Sequence, residues 1–194
     1  MNSNKLNIKD LVTIGVFAVI YFVLMFGIGM MGIIPILFLI YPAVLGIVTG
    51  PVVTLMMTKV QKPMALFIFG MISPIIMMAF GHTYIILVHS LIVVIIAELI
   101  RRIGKYKSFK YNTLSFAVFN TWICGSLMQM LLAKEKYLEM TVTMMGKDYA
   151  NALENLINYP NMLLVYLGAF IGGIIGAYIG RAFLRKHFEK AGIV

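Results

Sequence analysis

Two histidines seven residues apart are the side chains best placed to do chemistry within an apolar stretch of this sequence. His82 and His89 are separated by almost two helical turns, so a helix would carry both on one face. There they would either contact a ligand or hydrogen-bond to a neighbouring helix. No Asp, Glu or Cys lies nearby in sequence, so the pair makes a poor metal site and we predict no metal.

A few other polar and aromatic side chains are predicted to share an outward-facing cavity with these histidines. Small-molecule sites are built from apolar and aromatic groups with a small number of hydrogen-bonding side chains. The alternative is structural, because Trp and Tyr concentrate at membrane interfaces while Asn and Gln hold helices together. The predicted substrate-binding residues are His82, Tyr84, His89, Trp122, Gln129 and Asn161.

The sequence lacks the motifs of the common enzyme classes. It contains no phosphate-binding glycine loop with Lys and Ser/Thr, no HExxH and no paired carboxylates within an apolar segment. Ser126 follows Gly125, but the second glycine of a serine nucleophile motif is missing. We therefore predict that the chain is not an enzyme, has no catalytic residue and uses no cofactor of its own.

The composition places these residues in a membrane. Of 194 residues, 61% are hydrophobic and 12% are charged, against about 25% charged in a soluble domain. A net charge of +9 in so apolar a chain indicates loops that face anionic lipid rather than a nucleic-acid surface. The single cysteine, Cys124, excludes a disulfide framework. We expect one membrane domain over residues 1–194, in contact with lipid and not with nucleic acid.

Apolar segments long enough to cross a bilayer, which requires about 20 residues, occur six times. The second contains Pro35, Pro42 and Pro51 and is expected to be kinked or broken, while the third contains Pro74 and is barely long enough. The predicted fold class is an all-α integral membrane protein with six transmembrane helices. Their approximate bounds are 11–30, 33–57, 64–80, 83–100, 112–133 and 161–182.

The distribution of Lys and Arg predicts the orientation. Thirteen of these residues lie in the N-terminus, the 59–63 break, the 101–110 loop and the C-terminus, the last including Lys190. Only three lie on the alternate side. The positive-inside rule therefore puts both termini in the cytoplasm. Glu98, near the inner end of the fourth span, is expected to form a local ion pair with Arg101 and Arg102.

The longest stretch between spans, 134–160, is predicted to be extracellular. Its apolar residues recur at spacings of three or four, as on a helix that lies along the interface or folds back over the bundle. An ordinary solvated loop is the alternative. The recurring residues are Met140, Met144, Met145, Tyr149, Leu153 and Leu156.

Small residues mark two helices. Four glycines recur at every fourth position of the sixth span and predict close approach of another helix, from this chain or from a partner. A weaker patch, Thr13, Gly15 and Ala18, lies in the inner half of the first span. The glycines that form the predicted packing face are Gly168, Gly172, Gly176 and Gly180.

Four segments resemble the membrane-protein family called Trep_Strep, and the resemblance covers nearly the whole chain. That family is grouped with the substrate-binding S components of energy-coupling factor (ECF) transporters, an ABC importer class. The segments are Lys59-Val60-Gln61-Lys62-Pro63, the run 97–108 (AELIRRIGKYKS), Met145-Gly146-Lys147-Asp148-Tyr149 and the tail 186–192 (KHFEKAG).

The resemblance implies a six-helix bundle of the bacterial cytoplasmic membrane that captures a vitamin or other micronutrient from outside. It implies three partner subunits, a coupling membrane protein (T component) and two ATPases that use the ATP. Docking in that class uses small residues of the first span, often as Ala-xxx-Ala, which the Thr13, Gly15 and Ala18 patch would replace here. The lack of charged residues in the outer halves of the spans favours a neutral, partly aromatic ligand.

Two other functions remain open from the sequence. A self-sufficient secondary transporter or channel would be expected to show duplicated halves with broken helices or a chain of intramembrane charges. A ligand-free membrane scaffold would use the glycine face of the sixth span to bind another protein.

Overall fold

The computed structural model describes residues 5–188, and in this part of the chain all regular structure is helical. The tail that resembles Trep_Strep is described only in part, since its residues 189–192, which include Lys190, lie outside the described residues. The all-helical fold class is thus confirmed. The helices are α1 (Ile8–Gly29), α2 (Pro35–Lys59), α3 (Ala65–Ala79), α4 (Tyr84–Ile103), α5 (Phe109–Asn120), α6 (Cys124–Leu132), α7 (Lys134–Met145), α8 (Lys147–Leu156) and α9 (Tyr159–Phe183).

Five helical stretches in the described residues are long and apolar enough to cross a membrane. They are Ile8–Ile33, Pro35–Lys59, Tyr84–Ile103, Phe109–Leu132 and Tyr159–Lys186. The remaining apolar helix, α3, has 15 residues and is about 22 Å long, against about 30 Å of bilayer hydrocarbon. The count of six spans and the cytoplasmic termini therefore stay predictions.

The start of α1 and the end of α9 lie at the same end of the bundle, which we call the N-terminal end. Asn7 caps α1 through reciprocal side-chain hydrogen bonds with Asp10. Asp10 is also 2.5 Å from Lys62, in the connection between α2 and α3, and the neighbouring Gln61 shares a small cavity with Leu184. The opposite end, where α1 ends and α2 begins, is called the far end.

Helices α2 and α9 pack backbone to backbone. A Cβ atom added to Gly172 or Gly176 would collide with the carbonyl oxygen of Ala43 or Gly46, and one added to Gly180 would lie 2.7 Å from the Thr54 hydroxyl. The predicted glycine face is thus occupied within the chain. Only Gly168 makes ordinary contact, 3.6 Å from the Cβ of Ala43.

The second span was predicted to be kinked or broken, and of these alternatives the broken one is wrong. α2 is one uninterrupted helix from Pro35 to Lys59 with Pro42 and Pro51 inside it. Close packing against α9 holds the segment, and tertiary packing routinely overrides local propensity. The break lies instead between α5 and α6, where Thr121–Ile123 form a 3-10 turn.

Residues 134–160 fold back over the far end as two helices, α7 and α8, rather than forming an ordinary loop. Tyr137 and Leu153 are buried against α6 and α9 residues. The Tyr149 hydroxyl donates a hydrogen bond to the Gly32 carbonyl, next to the start of α2. The folded-back alternative predicted from the apolar spacing is therefore the one observed.

Candidate functional site

A cavity of about 480 Å³ opens at the far end of the bundle. Its volume falls within the range of about 300–1,000 Å³ typical of small-molecule sites. The lining comes from the last turns of α1, the first turns of α2, the end of α3, and from α6 and α7. The lining residues are Phe22, Met25, Phe26, Gly29, Met30, Ile33, Phe38, Tyr41, Met77, Phe80, His82, Ser126, Met140 and Met144.

The cavity wall is mostly aromatic rings and methionine thioethers. Met140 and Met144 come from α7, so the folded-back segment forms part of the wall. Methionine side chains are flexible and polarizable and adapt to ligands of irregular shape. No charged Lys, Arg, Asp or Glu lines this cavity among the described residues. Such a wall suits an apolar, uncharged molecule.

His82 is the predicted site residue that lies directly at the cavity. It belongs to the connection between α3 and α4, and its Nδ1 lies 2.9 Å from the Nε2 of Gln129. Gln129 is fully buried in α6 and holds the His82 ring in place through this contact. Burial lowers the pKa of His82, against a smaller opposing effect of the Gln129 hydrogen bond. The ring is therefore neutral near pH 7.

Two other predicted residues, His89 and Trp122, lie in the interior and not at the cavity. The His89 ring is bonded to the Trp122 carbonyl at 3.2 Å and to the Tyr166 hydroxyl at 2.5 Å. The indole N–H of Trp122 donates to the Tyr21 hydroxyl at 2.8 Å, and the side chain is fully buried. These contacts join helices α1, α4 and α9 to the break between α5 and α6.

Tyr84 and Asn161 also lie away from the cavity wall. Tyr84 is 70% exposed at the start of α4, which suits an aromatic side chain at a membrane interface. Asn161 is in the first turn of α9, where its side chain donates to the Leu156 carbonyl. Asn158 caps this helix by accepting the Asn161 N–H.

Sequence reasoning missed most of the cavity wall. Phe22, Met25 and Phe26 belong to an apolar helix in which nothing in the residue types separates a cavity face from a lipid face. The one available signal was the apolar spacing of Met140 and Met144 in the 134–160 segment. Polar residues within apolar segments predict a site, but in the structure most of them bond to other helices.

The small-residue patch of the first span is divided by the structure. Ala18 is buried, 2% exposed, within the bundle core. Gly15 is half-buried, with open space around the position of a Cβ atom. The Thr13 hydroxyl donates to the Lys9 carbonyl within the helix. Of the three predicted docking residues, Gly15 and Thr13 are the accessible ones.

A second polar cluster, the Arg101 cluster, lies at the N-terminal end. Arg101 is fully buried and donates through Nη2 to the carbonyls of Met57 and Val60, at 2.7 and 2.8 Å. Its Nε donates to Asn112 at 3.3 Å. These bonds tie α4 to the end of α2 and to α5. The nearby cavity has a volume of only about 90 Å³.

The predicted ion pair between Glu98 and its arginine neighbours does not form within the described residues. Glu98 instead accepts the backbone N–H of Met64 at 2.8 Å. Met64 adopts a left-handed backbone conformation, φ 66°, just before α3. Both charged side chains are drawn to unpaired backbone groups at helix ends, which need partners when buried. The cluster is structural.

Comparison with known proteins identifies the family. The model of the family described as "Hypothetical bacterial integral membrane protein (Trep_Strep)" matches residues 8–190. The chain therefore belongs to this family and is a multi-pass protein of the bacterial cell membrane. No curated protein and no solved structure matches it significantly.

Proposed function

We propose that this Trep_Strep family protein is a substrate-capture subunit that works as the S component of an ECF-type importer. It binds a small, mainly apolar micronutrient on the outer side of the membrane. Import is driven by ATP hydrolysis in separate subunits, two ATPases and a coupling membrane protein. The observation that carries the proposal is the 480 Å³ cavity at the far end, lined by aromatic and methionine side chains.

The proposal includes six crossings with both termini in the cytoplasm, so that the far end faces outward. Thirteen of the sixteen Lys and Arg residues lie in segments assigned to the cytoplasmic side, as the positive-inside rule requires. The start of α1 and the end of α9 meet at one end of the bundle. A helix as short as α3 crosses with local thinning of the bilayer.

The competing functions have less support. The glycine face that a membrane scaffold would offer to a partner is filled by α2. Arg101, which is fully buried, hydrogen-bonds to backbone carbonyls and to Asn112. Among the described residues, no further charged side chain is hydrogen-bonded to it as part of a relay across the bundle. A cavity that opens at one end of the bundle suits capture and delivery by a larger assembly.

Mass spectrometry of the complex isolated in mild detergent tests this function. We expect two ATPase subunits and one coupling membrane protein to be recovered with the chain, together with a retained small molecule. Recovery of the chain alone, with ligand flux in liposomes that contain no other protein, would overturn the proposal in favour of a secondary transporter.

The docking surface is tested by Gly15→Leu. The added side chain would project from an open position on α1, so we expect co-purification with the coupling protein to be lost while small-molecule binding is kept. Gly27→Leu is the matched control, because Gly27 is exposed on the same helix nearer the far end. Equal co-purification of both variants would contradict docking through Gly15. Ala18→Leu is unsuitable, since Ala18 is buried.

A further inference from the structure

The polar side chains around the far-end cavity are not equivalent as hydrogen-bond donors. In the part of the chain that the structure describes, three polar side chains line it, Tyr41, Ser126 and His82. The Tyr41 hydroxyl donates to the Met25 carbonyl at 3.3 Å, and the Ser126 hydroxyl donates to the Ile123 carbonyl at 2.7 Å. Each hydroxyl has one proton. His82 is therefore the lining side chain that still has a donor to offer.

The orientation of the Gln129 amide determines which ring nitrogen of His82 accepts a hydrogen bond from it. The Gln129 oxygen accepts the backbone N–H of Thr83 at 2.6 Å. Its NH2 group consequently points the other way, where it donates to the Ser126 carbonyl and to Nδ1 of His82, both at 2.9 Å. Both amide protons and the amide oxygen are thus engaged.

A neutral imidazole whose Nδ1 accepts a hydrogen bond carries its proton on Nε2. His82 is accordingly the Nε2–H tautomer, and its Nε2 has no partner among the described residues. His89 is the opposite tautomer. Its Nδ1 donates to the Trp122 carbonyl and its Nε2 accepts from Tyr166, so both of its nitrogens are used.

We propose that the Nε2–H of His82 orients the ligand in the far-end cavity, and that the ligand is a largely apolar molecule with one uncharged hydrogen-bond acceptor, such as a ketone, ester or ether oxygen. This inference rests on the proposed function and specifies its substrate class. An anion is disfavoured because no Lys or Arg among the described residues lines the cavity, and a desolvated charge without a partner is costly. Gln129 is a positioning residue, since it acts through the His82 ring.

The probe for this inference is 6-propionyl-2-(dimethylamino)naphthalene, a neutral ketone whose emission shifts to longer wavelength when its carbonyl accepts a hydrogen bond. The chain contains a single tryptophan, Trp122, which is buried in the interior of the same bundle. Energy transfer from Trp122 to the probe therefore reports binding to purified protein in detergent. We expect a saturable signal with red-shifted emission.

The variant His82→Phe removes the donor and keeps an aromatic ring. We expect probe binding about three- to tenfold weaker, as for the loss of one hydrogen bond to a neutral acceptor, with emission shifted to shorter wavelength. His82→Gln restores an N–H donor and should recover the long-wavelength emission. Tyr84→Phe, an exposed position two residues away, is the matched control and should bind as the wild type does.

A ligand pair on the wild-type protein gives a second measurement that needs no variant. 2-Acetylnaphthalene carries a carbonyl oxygen at the position where 2-isopropenylnaphthalene carries a methylene group. A purely apolar cavity favours the alkene, whereas a donor at His82 favours the ketone, and we expect the ketone to displace the probe at about three- to tenfold lower concentration.

The outcomes separate the two proposals. Saturable binding that is equal in wild type and His82→Phe, with unchanged emission, would overturn the role of His82 and leave the capture function in place. Better displacement by the alkene would do the same. No saturable binding of the probe or of either naphthalene would contradict the apolar capture site itself, and the inference with it.

Discussion

The two ends of the helix bundle differ in how much space they leave beside their polar side chains. At the N-terminal end, Arg101 is fully enclosed. Its Nη2 donates to two carbonyls and its Nε to Asn112, while its Nη1 has no partner among the described residues. The space left beside it is about 90 Å³. At the far end a cavity of about 480 Å³ remains, and the His82 ring borders it with one nitrogen that has no partner within residues 5–188.

This difference is the one that the proposed capture function requires between a packed end and a binding end. Empty apolar volume costs stability in proportion to its size, because the side chains around it lose contacts. The N-terminal end keeps those contacts and adds charge-assisted hydrogen bonds. The far end forgoes them, and under the proposed function the contacts of a bound ligand replace the lost ones.

The largest effect is expected from Arg101→Met, which removes the clamp at the packed end. The carbonyls of Met57 and Val60 would lose their buried donor, and each unsatisfied buried acceptor costs about 1–3 kcal/mol. We expect a loss of about 3 kcal/mol in the free energy of unfolding, measured by reversible denaturation in mixed micelles. Arg102→Met, at the exposed neighbouring position, is the control. Similar stabilities for the two variants would mean that Arg101 does not hold this end together.

The next largest effect is expected at the seam between α2 and α9. In Gly176→Ala the new methyl group meets the Gly46 carbonyl oxygen and must push the helices apart. Overpacking of this kind costs about 1–3 kcal/mol. Gly168→Ala is the matched control, since its methyl group would lie 3.6 Å from Ala43. The same melting temperature in both variants would show that backbone contact along this seam is dispensable.

Filling the cavity with a larger side chain should weaken ligand binding at the far end without unfolding the protein. Gly29 lines it in a right-handed helical conformation, φ −57°, and its nearest neighbour on the cavity side is Tyr41 at 3.8 Å. We expect Gly29→Leu to weaken binding of the naphthalene ketone probe at least tenfold while the protein stays folded. Gly27→Leu on the exposed face should leave binding unchanged. Unaltered probe affinity in Gly29→Leu would place the ligand elsewhere.

The smallest effect is expected from pH. Because the pKa of His82 is lowered in the folded protein, the unfolded chain takes up the proton first as the pH falls. The contribution of His82 to stability is therefore complete above about pH 6.5 and is lost progressively at lower pH. The melting temperature of the wild type should fall more between pH 7.5 and 5.5 than that of His82→Gln. Parallel pH curves would argue against a neutral, buried His82.

The elements of this fold were easier to predict than its site. Long apolar runs separated by Pro, Gly and charge mark helices because the bilayer leaves the backbone few other ways to satisfy its hydrogen bonds. The glycines of α9 likewise signalled close helix packing. The error at α2 arose because Pro42 and Pro51 act locally to break a helix, whereas packing against α9 acts over the whole segment.

The residues of the candidate site were harder to predict than the helices. Of six residues predicted from their polarity, His82 lines the cavity and Gln129 supports it, while His89 and Trp122 bond to other helices. A buried polar group in a membrane protein must find a partner, and most partners are neighbouring helices. Polarity alone therefore could not separate ligand contacts from structural ones.

The sequence by itself determined that this chain is a helical membrane protein of the Trep_Strep family, because composition, periodicity and family segments are properties of the chain read in order. Only the tertiary structure decided where the cavity lies and which histidine faces it. His82 and His89 lie seven residues apart on the chain. Both ring nitrogens of His89 are hydrogen-bonded, to Trp122 and to Tyr166, whereas the orientation of the Gln129 amide leaves Nε2 of His82 without a partner among the described residues. That distinction depends on residues distant in sequence, which only the folded bundle brings within hydrogen-bonding distance.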